Sequence, residues 1–126
     1  YENDIYGDLG RLYFDGLRAA RLVVDTGIHH YGWSFDQATS FFQEHVGASR
    51  GSAQSNIARY SIYHGQATAY MVGMLKILEL RERIQNARGE DFSIINFHSL
   101  ILQNGAMPLT ILEDVVERAL ASTETR

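Results

Sequence analysis

DLGRLYFDGLRAARLVVDT, residues 8–26, is the stretch whose reading decides the fold. Leu9, Leu12, Tyr13, Gly16, Leu17, Ala20, Val23 and Val24 recur in it at intervals of three and four, the spacing that stacks side chains on one face of an α-helix. On the other side Arg11 stands four residues from Asp15 and Arg21 four from Asp25, so each pair is set to bridge one helical turn. Gly27 follows, a residue that enters the left-handed conformation without steric cost and is expected to end the helix.

Downstream, a short loop over residues 28–33 leads to Ser34, whose hydroxyl can cap a second helix while Gln37 reaches back to the same backbone. That helix is predicted over 35–46, with Phe35, Ala38, Phe41, Phe42 and Val46 on one side and Gly47 as its stop. Residues 47–55, rich in Gly, Ser and Ala, read as a mobile connection whose end begins the next helix. Ile57, Ala58 and Ile62 mark a third helix, broken near His64 and Gly65, before a long fourth one over 66–87. Ala67, Tyr70, Met71, Met74, Leu75, Ile77 and Leu78 cover more than half of the fourth helix, which predicts a central position. Its far end, where Glu79, Arg81, Glu82 and Arg83 alternate in charge, is expected to emerge into solvent.

Gly89 ends that helix, and Ser93 caps a fifth through residue 103, with Ile94, Phe97, Leu100 and Ile101 inward and Gly105 beyond its end. Pro108 suits the first turn of a sixth, where its missing N–H costs nothing, and Leu109, Leu112, Val115, Val116 and Ala119 share one face of it. Residues 122–126 are expected to fray. No stretch alternates with period two between turn signals, and no repeat is visible. The prediction is an all-α bundle of about six helices, residues 1–126 forming one helical segment.

Composition narrows the function classes. A chain of 126 residues suits one domain, and a hydrophobic share of 45% argues for folding by burial. The net charge is −4, with 11 basic and 15 acidic residues interspersed, so the concentrated basic face that nucleic-acid binding needs is missing. Absence of cysteine removes disulfides and thiolate chemistry without deciding the compartment. The longest apolar run, residues 19–24, is broken by Arg21 and falls far short of the roughly 18 residues a membrane span requires. The chain starts at Tyr1 with neither Met nor a basic-then-apolar leader, which predicts a missing preceding segment.

Two groups can carry chemistry. His29 is read in the loop after the first helix, beside His30, Tyr31 and Trp33. Either it points into a cleft, or it caps carbonyls while Trp33 anchors the core. Arg59, Tyr60, Tyr63, His64, Gly65, Gln66 and Tyr70 gather about the predicted helix break, where backbone can approach a ligand and a tyrosine can donate to an oxyanion. The alternative is tyrosines packed in the core with hydroxyls at the rim. Arg18, Arg21 and Asp25 either orient a site or pair on the surface. His45 and His98 read as packed or surface residues, and no HExxH spacing, phosphate loop or GxSxG elbow occurs.

LGRLYFDGLRAARLVVDTGIHHYGWS, ARYSIYHGQATAYMVGMLKILELR and FHSLILQNGAMPLTILEDVV together resemble the carboxy-terminal third of a bacterial family catalogued as domain of unknown function 885. The likeness runs from Leu9 to Val116 and is most specific at RAARLVVDTGIH, Arg18 to His29, with GWS at Gly32 to Ser34. Members of the family resemble zincin peptidases whose zinc ligands precede the region matching this chain. The resemblance implies that this chain lacks every metal ligand, holds no cofactor itself, and lines the substrate cleft of a zinc-dependent, carboxypeptidase-like parent. It further implies His29 and Tyr60 as oxyanion donors, with Arg59, Gln66 and Tyr70 holding a peptide substrate. The partner it implies is the missing N-terminal part of the same protein. One departure stands out: the family usually has Pro before the GQA glycine, and this chain has His64. The competing expectation is a non-enzymatic helical module that self-associates or docks a partner through uncovered apolar faces, forming a homo-oligomer.

Overall fold

The computed structural model describes residues 3–122, which form six α-helices and no strand. In order they are α1 (Ile5–His29), α2 (Phe35–Val46), α3 (Arg50–Ile62), α4 (Ala69–Arg88), α5 (Ile94–Leu102) and α6 (Leu109–Ala121). Single 3-10 turns at Gln66–Thr68 and Gly89–Asp91 precede α4 and α5. The chain is built as two compact units, Tyr1–Val72 and Gly73–Arg126, where the sequence reading took residues 1–126 as one segment. Of the tail predicted to fray, residues 123–126 lie outside the described residues.

The first unit closes its core with Ala20 and Val24 of α1, Ala38 and Phe42 of α2, Ala53, Ile57 and Tyr60 of α3, and Ala67. The capping box is present: the Gln37 amide donates to Ser34 Oγ at 3.2 Å and the Ser34 amide to Gln37 Oε1 at 2.9 Å. Gly47, left-handed at φ 71°, ends α2 as expected. The connection read as mobile is shorter than expected, because Ser49 Oγ caps the Ser52 amide and α3 starts at Arg50.

α1 corrects the sequence reading at both ends. Gly27 does not end it; the helix runs on to His29, and Gly32, at φ 67°, takes the left-handed turn. The hydrogen on Gly27 faces the Trp33 indole, where a Cβ would stand 2.5 Å from Cδ2, so this glycine serves close packing. The long apolar face also divides. Leu17, Ala20 and Val24 meet the core, whereas Leu9 and Leu12 are 63% and 53% exposed and Ile5 is 82% exposed.

The second unit packs Leu80 and Ile84 of α4 with Phe97 of α5 and Leu112 and Val116 of α6. The far end of α4 therefore contributes core residues, not only a solvated face, while Leu75 and Leu78 of its expected central stripe stay exposed. Charge alternation had a different use: Arg83 bridges Glu79 on its own helix and Glu113 and Glu117 on α6, and Lys76 bridges Glu79 and Glu113. Ser93 caps α5 as expected, but Ile94 stays partly exposed where burial was predicted. Pro108 sits one residue before α6, its carbonyl accepting from the Leu112 amide at 3.0 Å. No helix among the described residues is long and apolar enough to cross a membrane.

Candidate functional site

The residues singled out from the sequence meet in the first unit, where α3 breaks and the 3-10 turn begins. The break is a backbone event: α3 ends at Ile62, and Gly65 takes φ 75°, a left-handed conformation that glycine adopts at little cost. Arg21, Asp25 and His29 follow one another at four-residue intervals on α1, so they rise along one side of the helix to face this break.

Each contacts a different part of it. Arg21 Nε donates to the Tyr60 hydroxyl at 2.9 Å, and that hydroxyl donates to Asn56 Oδ1 at 3.0 Å. The Arg21 guanidinium also lies over the Tyr70 ring, 5.3 Å from its centroid. Asp25, only 4% exposed, receives the Gly65 amide with both carboxylate oxygens, at 3.1 and 3.2 Å. His29 Nε2 is 2.9 Å from the Tyr60 carbonyl oxygen, and its ring centroid is 4.2 Å from that of His64.

On the exposed side, Arg59 Nη1 donates to Gln66 Oε1 and Gln66 Nε2 to the Tyr70 hydroxyl, both long contacts of 3.4 Å. The Arg59 guanidinium lies 5.0 Å from the Tyr60 ring centroid. Weak bonds of this length are easily exchanged for bonds to a ligand. Arg59, Gln66 and Tyr70 thus present a guanidinium, an amide and a phenol side by side, all able to donate to a carbonyl or carboxylate oxygen.

All five residues expected at a site, His29, Arg59, Tyr60, Gln66 and Tyr70, belong to this one network. Two placements differ from the expectation. His29 lies in the last turn of α1, not in the loop, because the helix runs past Gly27. Tyr60 is 1% exposed, and its hydroxyl hydrogen is on Asn56, so the hydroxyl is held inside the core. Arg21 and Asp25, read as a pair across one turn, instead hold separate partners far away in sequence. Sequence spacing carries no sign of the Asp25–Gly65 contact, which links residues 40 apart. Arg11 does bridge Asp15, at 3.1 Å, and His45 stacks on Phe41 at the surface, as read.

Among the described residues no three His, Cys, Asp or Glu side chains come together as a metal-binding group. The residues here therefore do not fit a zinc site.

A comparison with curated proteins finds none that matches. Among solved structures, a chain of Colwellia psychrerythraea named, provisionally, as a lipoprotein is 44% identical with a TM-score of 0.93. The match takes in 97% of this chain and 21% of that one, so the present chain spans about a fifth of the solved protein it resembles. The family model described as bacterial protein of unknown function, DUF885, matches residues 1–116. With the family model spanning nearly the whole chain and the Colwellia protein this similar in sequence and fold, the chain belongs to the bacterial DUF885 family.

Proposed function

We propose that this chain is the carboxy-terminal, substrate-facing wall of a zincin-like, zinc-dependent peptidase of carboxypeptidase type. The observation that carries the reading is the convergence of Arg59, Gln66 and Tyr70 on one exposed surface, braced from behind by Arg21, Asp25 and His29. Zinc would be a cofactor of the longer parent, held by its N-terminal part.

What these residues can do is bind and orient. Arg59 and Gln66 offer donors to a peptide carboxylate or carbonyl oxygen, and Tyr70 adds a phenol 46% exposed beside them. Donors fixed in place before the reaction stabilise negative charge developing on oxygen, which is how such a wall contributes to hydrolysis. Tyr60 serves by position: its hydroxyl ties Arg21 to Asn56 and sets the end of α3. His29 can donate to an oxyanion only as imidazolium, since the N–H of the neutral ring is used on the Tyr60 carbonyl.

The test compares the isolated chain with a longer family polypeptide that carries it. The isolated chain is expected to bind no stoichiometric zinc in calorimetry and to hydrolyse no peptide, while the longer polypeptide does both. In the latter, Arg59→Ala or Gln66→Ala should lower kcat/KM for peptides by about 10-fold or more, on the scale of one lost charge-assisted contact. Tight zinc binding by the isolated chain, or unchanged kcat/KM in both variants, refutes the reading.

A second reading, a non-enzymatic helical module forming homo-oligomers, is favoured by the bare stripe of Ile5, Leu9 and Leu12 on α1. Sedimentation at several concentrations separates the two, a strict monomer counting against the module.

A further inference from the structure

A break between helices leaves backbone groups without their helical partners. Here α1 answers two of them from adjacent turns. Asp25 accepts from the Gly65 amide, and four residues on, His29 meets the Tyr60 carbonyl. The two side chains do opposite jobs, one accepting and the other donating, and together they clamp both edges of the break to α1.

This clamp has a chemical consequence for His29. A carbonyl oxygen only accepts, so the ring nitrogen 2.9 Å from it carries the hydrogen. Neutral imidazole has one N–H, and Nδ1 is therefore left with its lone pair. His29 is exposed, its ring centroid lies 4.2 Å from that of His64, and the carbonyl it bonds belongs to Tyr60, the residue next to Arg59.

We infer that Asp25 and His29 are paired positioning residues that fix the His29 tautomer and turn Nδ1 into a hydrogen-bond acceptor for the ligand. The group that docks against it is an N–H donor, the amide or ammonium of a peptide, complementing the oxygen-binding donors of Arg59 and Gln66. The ligand half rests on the substrate-facing reading given above; the tautomer half stands on the hydrogen bonds alone.

Histidine-selective 15N labelling with long-range proton–nitrogen correlation, at about pH 8, reads the tautomer directly. The intact chain is expected to carry the His29 proton on Nε2. Asp25→Leu should lose the downfield Gly65 amide shift and let the two His29 tautomers mix, with helical circular dichroism retained. Asp25→Asn, which keeps an acceptor oxygen, should restore both. A His29 proton on Nδ1, or an even mixture in the intact chain, overturns the inference whether or not the variants fold. For the ligand half, glycinamide should move the Nδ1 resonance and acetate should not; the reverse pattern, or no shift with either, refutes it. An inactive longer polypeptide would sink the peptidase reading while leaving the tautomer result standing.

Discussion

Gly27→Ala should destabilise the protein although it replaces a glycine inside a helix. In an open helical position the change favours folding by about 0.8–1 kcal/mol, since alanine has less backbone freedom to lose. At Gly27 the new Cβ would stand 2.5 Å from Trp33 Cδ2 and 2.6 Å from Cε3. Carbon atoms prefer about 3.5–4.0 Å, so the indole would have to retreat by about 1 Å. It is poorly placed to do so. The Trp33 amide donates to the Gly27 carbonyl at 2.9 Å, and the ring packs against Phe41 with centroids 5.3 Å apart. Overpacking of this kind costs about 1–3 kcal/mol, so at the middle of that range it exceeds the helix gain by about 1 kcal/mol and at the top by about 2 kcal/mol. That corresponds to a fall in Tm of about 4–16 °C for a domain of this size. Gly16→Ala, on the same helix with nothing within 4 Å of its Cβ, is the control and should stabilise by up to about 1 kcal/mol. Thermal and urea unfolding followed by circular dichroism measure both. If Gly27→Ala proves as stable as the parent, the close approach of helix and indole is not a constraint and the reasoning fails.

Tyr60→Phe removes the hydroxyl that accepts from Arg21 and donates to Asn56, and should cost about 1–3 kcal/mol in urea unfolding with helical content unchanged. Ser34→Ala takes away the capping box of α2 and should cost about 1 kcal/mol, seen as a lower Tm. In the second unit the Lys76 hydrogen bond, reinforced by Arg83, holds the Glu79 carboxyl below the usual carboxylate range. Its folded value lies under its unfolded one, so its contribution is present above the unfolded range and lost as pH falls through the folded one. Glu79→Gln should therefore flatten the acid limb of the stability profile between those two values, and added salt should shrink the difference because the pair is at the surface.

Much of the local structure was legible because it is encoded over three or four residues. Ser34 with Gln37, Gly47, Ser93 and the broken helix at Gly65 each act on their own turn of backbone, and each was read in its place. Gly27 was misread because a C-terminal cap and a packing gap both call for glycine. Only the indole folded back from Trp33 distinguishes them. The Gly- and Ser-rich stretch before Ile57 was read as loose because its composition is weakly helical, yet Ser49 caps it and Ala53 is buried in the core.

What the sequence by itself determined is the helical class and most helix ends, since periodicity and capping are local. What only the tertiary structure decided is which partner each polar group takes. Arg21 and Asp25 stand one turn apart and could have paired, but burial against the break made a phenol and a backbone amide, both distant in sequence, the partners they bond. The same holds for the nitrogen of His29 that carries the hydrogen: a carbonyl 31 residues away selects it, and no local pattern encodes a contact of that range.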